Sequence, residues 1–149
     1  MVATEEQTAG RGRLGRPWFA APGTSLLFSI NLRPLVPTHR LPELSIVAGL
    51  SCADAIRDVT GVTPDIKLPN DLLVEGRKLA GILAEARDDR VVLGVGINVN
   101  TSKEDLPDEV DTEPTSLRAE LGAPVDRARL LAAILLELER RYDAWNSED

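Results

Sequence analysis

Three arginines and several glycines alternate near the start of the chain in a pattern able to bind an anion. Arg11, Arg13 and Arg16 stand two and three residues apart within a Gly-Arg-Gly-Arg-Leu-Gly-Arg segment. Like charges this close repel unless an anion is present, and guanidinium groups offer paired donors that suit carboxylate and phosphate oxygens. Gly10 and Gly12 allow the backbone to approach a ligand closely. The segment predicts an anion-binding loop, with a surface turn carrying incidental arginines as the alternative.

The glycines of this loop, which end at Gly15, also match the dinucleotide-binding fingerprint G-x-G-x-x-G. That fingerprint requires a strand before it and a helix directly after it, so that the helix N-terminus holds the pyrophosphate. Pro17 and then a strand pattern follow here, which excludes the Rossmann interpretation. Trp18 and Phe19 are predicted to anchor the loop to the core, with an aromatic wall beside an adenine as the alternative.

A second candidate site lies on two predicted strands joined by a Glu-Gly-Arg turn. Alternation across this hairpin brings Asn70 or Asp71 close to Lys78. In that position Asp71 is suited to a magnesium ion on a nucleotide, Asn70 to nucleotide oxygens, and Lys78 to the point where a carboxylate meets a phosphate. The small residues Ala80 and Gly81 are predicted to leave room for a ligand beside the strand.

A third segment, Gly-Val-Gly-Ile-Asn, contains glycines inside a predicted strand. Gly94 and Gly96 weaken a strand, so they predict close approach by another backbone or by a ligand. Asn98 is the polar end of this segment.

Periodicity and turn residues predict a domain of the α+β class that contains an antiparallel meander. In the first long strand the apolar side chains from Leu26 to Leu32 are expected to face the core. Strands are predicted at residues 2–5, 25–33, 65–68, 71–74, 78–86 and 91–99; helices are predicted from Pro42 to Gly61, after a cap at Thr115 and Ser116, and after a cap at Asp126.

The formal net charge of −7 is unevenly distributed along the chain. Residues 1–102 hold 11 acidic and 11 basic side chains, whereas residues 103–149 hold 13 acidic and 6 basic ones. Proteins that bind nucleic acid usually present a basic face, so this balance argues against nucleic acid as a partner. The acidic surplus predicts a solvated surface, with an acidic docking face as the alternative.

Length and residue usage predict one domain over residues 1–149, located in the cytoplasm. A chain of 149 residues with 43% hydrophobic content suits a single core. No apolar stretch approaches the roughly 18 residues of a membrane span, and the first residues show no signal pattern. The lone cysteine, Cys52, excludes an internal disulfide and a cysteine-based metal cluster, agrees with a reducing compartment, and is predicted to pack in the core.

Taken in order along the chain, these segments resemble the biotin protein ligase family. Residues 7–13 with Gly15 resemble its biotin-binding loop, Lys67 to Asp71 its Lys-Trp-Pro-Asn-Asp motif, Arg77 to Gly81 its Arg-Lys-Leu-Ala-Gly motif, Gly94 to Asn98 its Gly-x-Gly-Ile-Asn strand, and Thr115 to Leu117 its Thr-Ser-Leu helix start.

The resemblance implies a role for each matching residue. Lys78, Arg11 and Arg13 would be catalytic, and Asp71 would hold Mg²⁺. Biotin or its adenylate would contact Gln7, Gly10, Arg11, Gly12, Arg13, Lys78 and Gly81, whereas ATP would contact Arg16, Trp18, Asn70, Asp71, Asn98 and Ser116.

The resemblance also implies a fold, a reaction and a partner. Helices would pack on one face of the sheet, and biotin would be activated by ATP as biotinyl-AMP before transfer to a lysine of a biotin carboxyl carrier protein. No enzyme nucleophile is needed, in keeping with a single histidine, His39, in a Pro-rich loop. Homodimer formation is left open.

Departures from the family pattern define the alternatives. Leu68 stands where the motif has Trp, which predicts different local packing. The chain is expected to lack the family's first strand and helix, with their biotin-binding Ser/Thr-Thr-Asn segment, as well as the C-terminal barrel and the DNA-binding domain. Operator binding is therefore not expected. The rival functions are a lipoate or octanoate attachment enzyme and a non-catalytic fragment that binds biotin or nucleotide.

Overall fold

The computed structural model describes residues 1–108 and 111–147. They form an antiparallel six-stranded sheet in the order β1-β2-β6-β5-β4-β3, with the long helices packed against one face. The strands are β1 Val2–Thr4, β2 Ser25–Leu32, β3 Asp65–Lys67, β4 Asp71–Val74, β5 Arg77–Arg87 and β6 Arg90–Asn98; the helices are α1 Glu43–Thr60, α2 Leu117–Leu121 and α3 Arg127–Asn146. The α+β class, the meander from β3 to β6 and the one-sided packing of helices are confirmed.

The two faces of the sheet differ because neighbouring residues of a strand point to opposite sides. On β2, Leu26 and Phe28 pack into the core beneath the helices, as predicted. Their partners across the ladder, Ile97 and Val95 of β6, lie in the same core. Gly94 and Gly96 alternate with them and therefore lie on the face without helices. Two layers thus enclose the core and leave the second face of the sheet for a site.

Helix α1 begins and ends at the residues that the sequence indicates. Pro42 precedes its first turn with φ −59°, a value that suits a helix start, and Gly61 ends it with φ +79°. A residue with a Cβ is strained at that positive φ, which explains the glycine. Cys52 is fully buried on this helix, as predicted, and burial raises the pKa of its thiol to about 12.

The caps of the two C-terminal helices are also largely as predicted. The carboxylate of Asp126 accepts a hydrogen bond from the backbone N–H of Arg129 at the start of α3, and the Ser116 hydroxyl accepts one from Ala119 at the start of α2. Thr115 is not a cap, because its hydroxyl donates to Glu120 at 2.5 Å. Within residues 1–108 and 111–147, none of the helices has the length and apolar character needed to cross a bilayer.

Candidate active site

A cavity of about 900 Å³ opens on the face of the sheet that has no helices. The Gly- and Arg-rich segment Gly10–Trp18, called the arginine loop below, forms one wall, and residues 67–71 form the other. Strands β5 and β6 form the floor, and Asp108 and Asp111 lie at the rim. The three motifs that the sequence analysis singled out therefore meet at one place.

Trp18 covers the glycines of the floor. A Cβ added to Gly96 would lie 2.8 Å from the indole, and one added to Gly81 would lie 3.0 Å from it. The glycines are therefore needed because an aromatic ring lies directly on the sheet. The predicted close approach is correct, but it is made by a side chain of the protein rather than by a backbone or a ligand.

Replacing Gly96 by alanine is expected to displace Trp18 from the floor. Forcing a methyl group into a filled space costs about 1–3 kcal/mol, so the variant should lose stability and change its Trp18 fluorescence. Gly94→Ala is the matched control on the same strand, because its Cβ would meet Leu83 and Ser29 at an ordinary 3.7 Å. Equal losses of unfolding free energy in the two variants would contradict this description of the floor.

The anchoring prediction for the aromatic pair holds for one residue only. Trp18 is held on the sheet, whereas Phe19 is 58% exposed and does not anchor the loop to the core. Adjacent residues point in opposite directions when the backbone is extended, so only one of the two rings can reach the floor.

The arginine loop is a small, ordered hairpin. The N–H of Gly12 donates to the carbonyl of Arg16 at 2.6 Å, and the N–H of Trp18 donates to the carbonyl of Gly10 at 2.8 Å. At the tip, Leu14 adopts a left-handed conformation with φ +59° and is 87% exposed. The hydrogen bonds of Gly12 and Trp18 hold the loop over the cavity, while the tip of the loop remains in solvent.

Polar side chains of the protein itself contact the loop's three arginines. Arg11 lies 3.3 Å from Glu85, Arg16 lies 3.0 Å from Asp111, and Arg13 donates to the side chain of Asn70 at 3.4 Å. Glu85 and Asp111 therefore relieve part of the expected repulsion among the three arginines. Exposed ion pairs of this kind contribute only about 0–1 kcal/mol each, so an anionic ligand can exchange for them readily.

A β-bulge turns Lys78 toward the cavity. Leu72 pairs with Ala80 and Leu73 pairs with Lys78, which leaves Leu79 as an extra residue on β5. Lys78 and Gly81 are three residues apart and would lie on opposite faces of a regular strand. The extra residue places both on the cavity face, and such re-aiming of a side chain is a typical effect of a bulge.

The bulge also corrects one prediction. Ala80 does not leave room for a ligand, because its side chain is fully buried in the core on the helix side. Gly81 does lie at the cavity, beneath Trp18. Of the two small residues, only Gly81 thus faces the cavity, and the Trp18 ring occupies the room above it.

Lys78 lies between a carboxylate and an aromatic ring. Its Nζ is 3.9 Å from Oδ1 of Asp71 and 5.5 Å from the centroid of the Trp18 ring. The two charged side chains are only 21% and 20% exposed, which makes them more shielded than the pairs on the arginine loop. This arrangement confirms the predicted proximity of Asp71 and Lys78 across the β4–β5 ladder.

The residues present fit a magnesium ion that arrives on a nucleotide. Mg²⁺ in nucleotide sites is usually held by one or two carboxylates together with the substrate phosphates. Asp71 and the amide of Asn70 supply one carboxylate and one neutral oxygen at the cavity wall. In the described part of the chain, no group of three or more His, Cys, Asp or Glu side chains is placed to hold a metal by itself.

Three of the predicted site residues lie away from the cavity lining. Gly10 lies against the Trp18 backbone, where a Cβ would collide with the carbonyl oxygen. The Asn98 amide donates to the carbonyl of Thr115 at 3.0 Å, and the Ser116 hydroxyl donates to the carbonyl of Thr101 at 2.7 Å. The predicted residues that line the cavity are Gln7, Arg11, Gly12, Arg13, Arg16, Trp18, Asn70, Asp71, Lys78 and Gly81. All the assigned ligand contacts remain predictions.

Several residues of the cavity were not among the predicted site residues. Leu83 and Glu85 follow Gly81 at intervals of two, so strand periodicity alone could have placed them on the same face. Asp108 and Asp111 lie on a loop without periodicity, and no local pattern relates them to the arginine loop. Leu68, at the position where the family motif has Trp, lines the cavity and is 65% exposed.

Fold and site together define an α+β domain with a cation-lined, glycine-floored cavity suited to a small anionic ligand. The profile of the Biotin/lipoate A/B protein ligase family matches residues 1–102, and the chain belongs to that family. It is 43% identical over 152 residues to the biotin–(acetyl-CoA-carboxylase) ligase of Mycobacterium tuberculosis, covering 99% of this chain and 55% of that protein. It is 42% identical over 147 residues to the bifunctional ligase/repressor BirA of Bacillus subtilis, covering 95% of this chain and 45% of that protein.

Solved structures share the same architecture. The biotin protein ligase of Aquifex aeolicus in complex with biotin and ATP matches with a TM-score of 0.87 and 33% identity, covering 99% of this chain and 62% of that one. The biotin protein ligase of Leishmania major in complex with biotinyl-5-AMP matches with a TM-score of 0.80 and 26% identity, covering 96% and 64%. The chain spans about half the length of the two curated relatives.

Proposed function

We propose that the protein is a biotin protein ligase that activates biotin with ATP and transfers it to a lysine of a biotin carboxyl carrier protein. The observation that carries the proposal is the meeting of the arginine loop, Lys78 and Asp71 around one cavity. An acyl adenylate forms only where a carboxylate and a polyphosphate come together, and this requires positive charge already in place. Residues 1–149 would form the catalytic unit, and a reaction that consumes ATP suits the cytoplasm.

In the first step, a carboxylate oxygen of biotin attacks the α-phosphorus of ATP. A new P–O bond forms, the bond between the α-phosphorus and the bridging oxygen breaks, and pyrophosphate leaves. Lys78 and Arg13 would reduce the repulsion between the carboxylate and the phosphates, and they would stabilise the charge that develops at the α-phosphate. Arg11 would contribute further positive charge from the same loop.

The remaining groups of the site would bind and orient. Gln7, Gly12 and Gly81 would contact biotin, while Arg16, Trp18 and Asn70 would contact ATP. Asp71 with Asn70 would hold the Mg²⁺ ion, which screens the phosphate charge when bound. Asn98 and Ser116 are proposed to serve the nucleotide because their segments resemble the family's motifs, although their side chains hydrogen-bond to the carbonyls of Thr115 and Thr101 in this structure.

In the second step, the neutral amine of the carrier lysine attacks the acyl carbon of biotinyl-AMP. A C–N bond forms, AMP leaves, and the amine loses a proton. Acyl adenylates hydrolyse readily, so the loop should exclude water until the carrier binds. The weak pairs of Arg11 and Arg16 suit this task, because they are exchangeable without unfolding the hairpin.

A lipoate or octanoate attachment enzyme is the second candidate, because the matched family includes lipoate ligases. Labelled biotin bound to the purified protein, challenged with increasing unlabelled lipoate, distinguishes the two. Displacement by unlabelled biotin but not by equal lipoate is expected. Displacement by lipoate at lower concentrations than biotin would reject biotin as the substrate. Binding of biotin without any turnover would favour a non-catalytic binding protein.

A further inference from the structure

The backbone around Lys78 is supported by a segment distant in sequence. The last β5–β6 pair is Ala80 with Ile97, so β6 no longer accompanies β5 at the lysine. There Lys78 pairs instead with Pro114 in a parallel bridge. The N–H of Lys78 donates to the carbonyl of Glu113 at 2.7 Å, and its carbonyl accepts from the N–H of Thr115 at 2.8 Å.

Glu120 of α2 connects both sides of this arrangement. Its carboxylate accepts two hydrogen bonds from Arg77, at 2.9 and 3.1 Å, and one from the Thr115 hydroxyl at 2.5 Å. Arg77 directly precedes Lys78 on the strand, and Thr115 holds the carbonyl of Lys78. With only 16% of its side chain exposed, Glu120 is shielded enough for these charge-assisted bonds to exceed an ordinary surface pair.

The position of Arg77 determines where Lys78 points. Neighbouring residues of a strand project to opposite faces, and Arg77 reaches Glu120 on the side of the helices, where Leu117 of α2 enters the core. As long as Arg77 is held there, Lys78 must project into the cavity. A bulged strand has an interrupted ladder, so its local conformation depends on additional contacts of this kind.

We propose that Glu120 is a positioning residue that holds the bulged strand so that the ammonium group of Lys78 points into the cavity. Glu120 does not line the cavity, and it acts through Arg77 and Thr115. Only the expected effect of Glu120 on turnover rests on the proposed function. The position of Lys78 relative to Trp18 is testable without any reaction.

The first test uses Trp18 as an internal probe, in a Trp145→Phe background that removes the other tryptophan. Lys78 lies 5.5 Å from the Trp18 ring, so its withdrawal should change the indole emission. We expect Glu120→Ala to change the emission in the same direction as Lys78→Ala and by at least half as much. Added to Lys78→Ala, it should cause no further change. Wild-type emission from folded Glu120→Ala would overturn the proposal. It would also be overturned if Glu120→Ala changed the emission equally in the presence of Lys78 and in the Lys78→Ala variant.

Turnover provides the second test. Because small misplacements of a catalytic group cost up to about 100-fold in rate, Glu120→Ala should lower kcat for pyrophosphate release by about 10- to 100-fold, with little change in KM for biotin. Glu120→Gln retains an acceptor oxygen for Arg77 and Thr115 and should restore most of kcat. Glu139→Ala, an exposed glutamate on α3, is the control and should leave kcat unchanged.

The two tests separate a failure of this inference from a failure of the proposed function. Coupled emission changes in a protein without turnover would retain the positioning role and reject the ligase. Full kcat in folded Glu120→Ala would reject the positioning role and retain the ligase. If Glu120→Ala does not fold, Glu120→Gln decides, and a Gln variant with the emission of Lys78→Ala would contradict the rescue expected here.

Discussion

Lys78→Ala is expected to lower biotin-dependent pyrophosphate release by about 10²- to 10³-fold, the usual loss when one charge-stabilising donor is removed from an active site. The ammonium group is shielded between Asp71 and Trp18, where it faces less competition from water than a surface lysine. Without it, the carboxylate of biotin and the α-phosphate of ATP should repel each other. The rate should be measured with biotin and Mg-ATP at saturation, together with thermal unfolding.

The matched control is Lys103→Ala. Lys103 lies in a short 3-10 turn outside the cavity, so the variant removes the same charge from the protein without touching the site. Wild-type turnover is expected from it. Equal turnover in Lys78→Ala and Lys103→Ala would show that Lys78 has no part in adenylation.

Arg13→Ala is expected to lower the rate of adenylation by about 100-fold or more while leaving the fold intact. Arg13 is exposed near the tip of the arginine loop, and its hydrogen bond to the Asn70 side chain is long at 3.4 Å. The folded protein therefore depends little on it. A ligand with phosphate oxygens would offer this guanidinium a stronger partner than the Asn70 amide.

Arg33→Ala serves as the control for Arg13→Ala. Arg33 forms an exposed pair with Asp89 at 3.2 Å and does not line the cavity. Both variants should unfold at nearly the wild-type temperature, because exposed pairs contribute little to stability. If Arg13→Ala released pyrophosphate as fast as Arg33→Ala, Arg13 would have no catalytic role.

Local signals were sufficient to predict the elements of the fold. Pro42, Gly61 and Asp126 act through their own backbone or through a neighbouring N–H, so their positions determine where α1 and α3 begin or end. The alternation of side chains identified the core face of β2, because neighbouring residues of any strand point to opposite faces of the sheet.

The parts of the site that the sequence did not predict depend on contacts between residues far apart in the chain. The bulge at Leu79 places Lys78 and Ala80 on opposite faces of the sheet, and it depends on a register of β4 and β5 that no local pattern encodes. The contact of Trp18 with Gly96 joins residues that lie far apart in the sequence. The residue types predicted an anion-binding site from the sequence, but their mutual geometry required the assembled sheet.

The central claim is tested most directly by pyrophosphate release from the purified chain mixed with Mg-ATP and biotin, with lipoate and no added acid in parallel. The arrangement of Lys78, Arg13 and Asp71 around one cavity predicts release that depends on an added carboxylic acid. The similarity to biotin protein ligases predicts that biotin supports this release and lipoate does not. Release that is independent of biotin, or that lipoate supports equally well, would contradict the assignment. No release from a folded sample that binds biotin would identify the chain as a binding protein without adenylation activity.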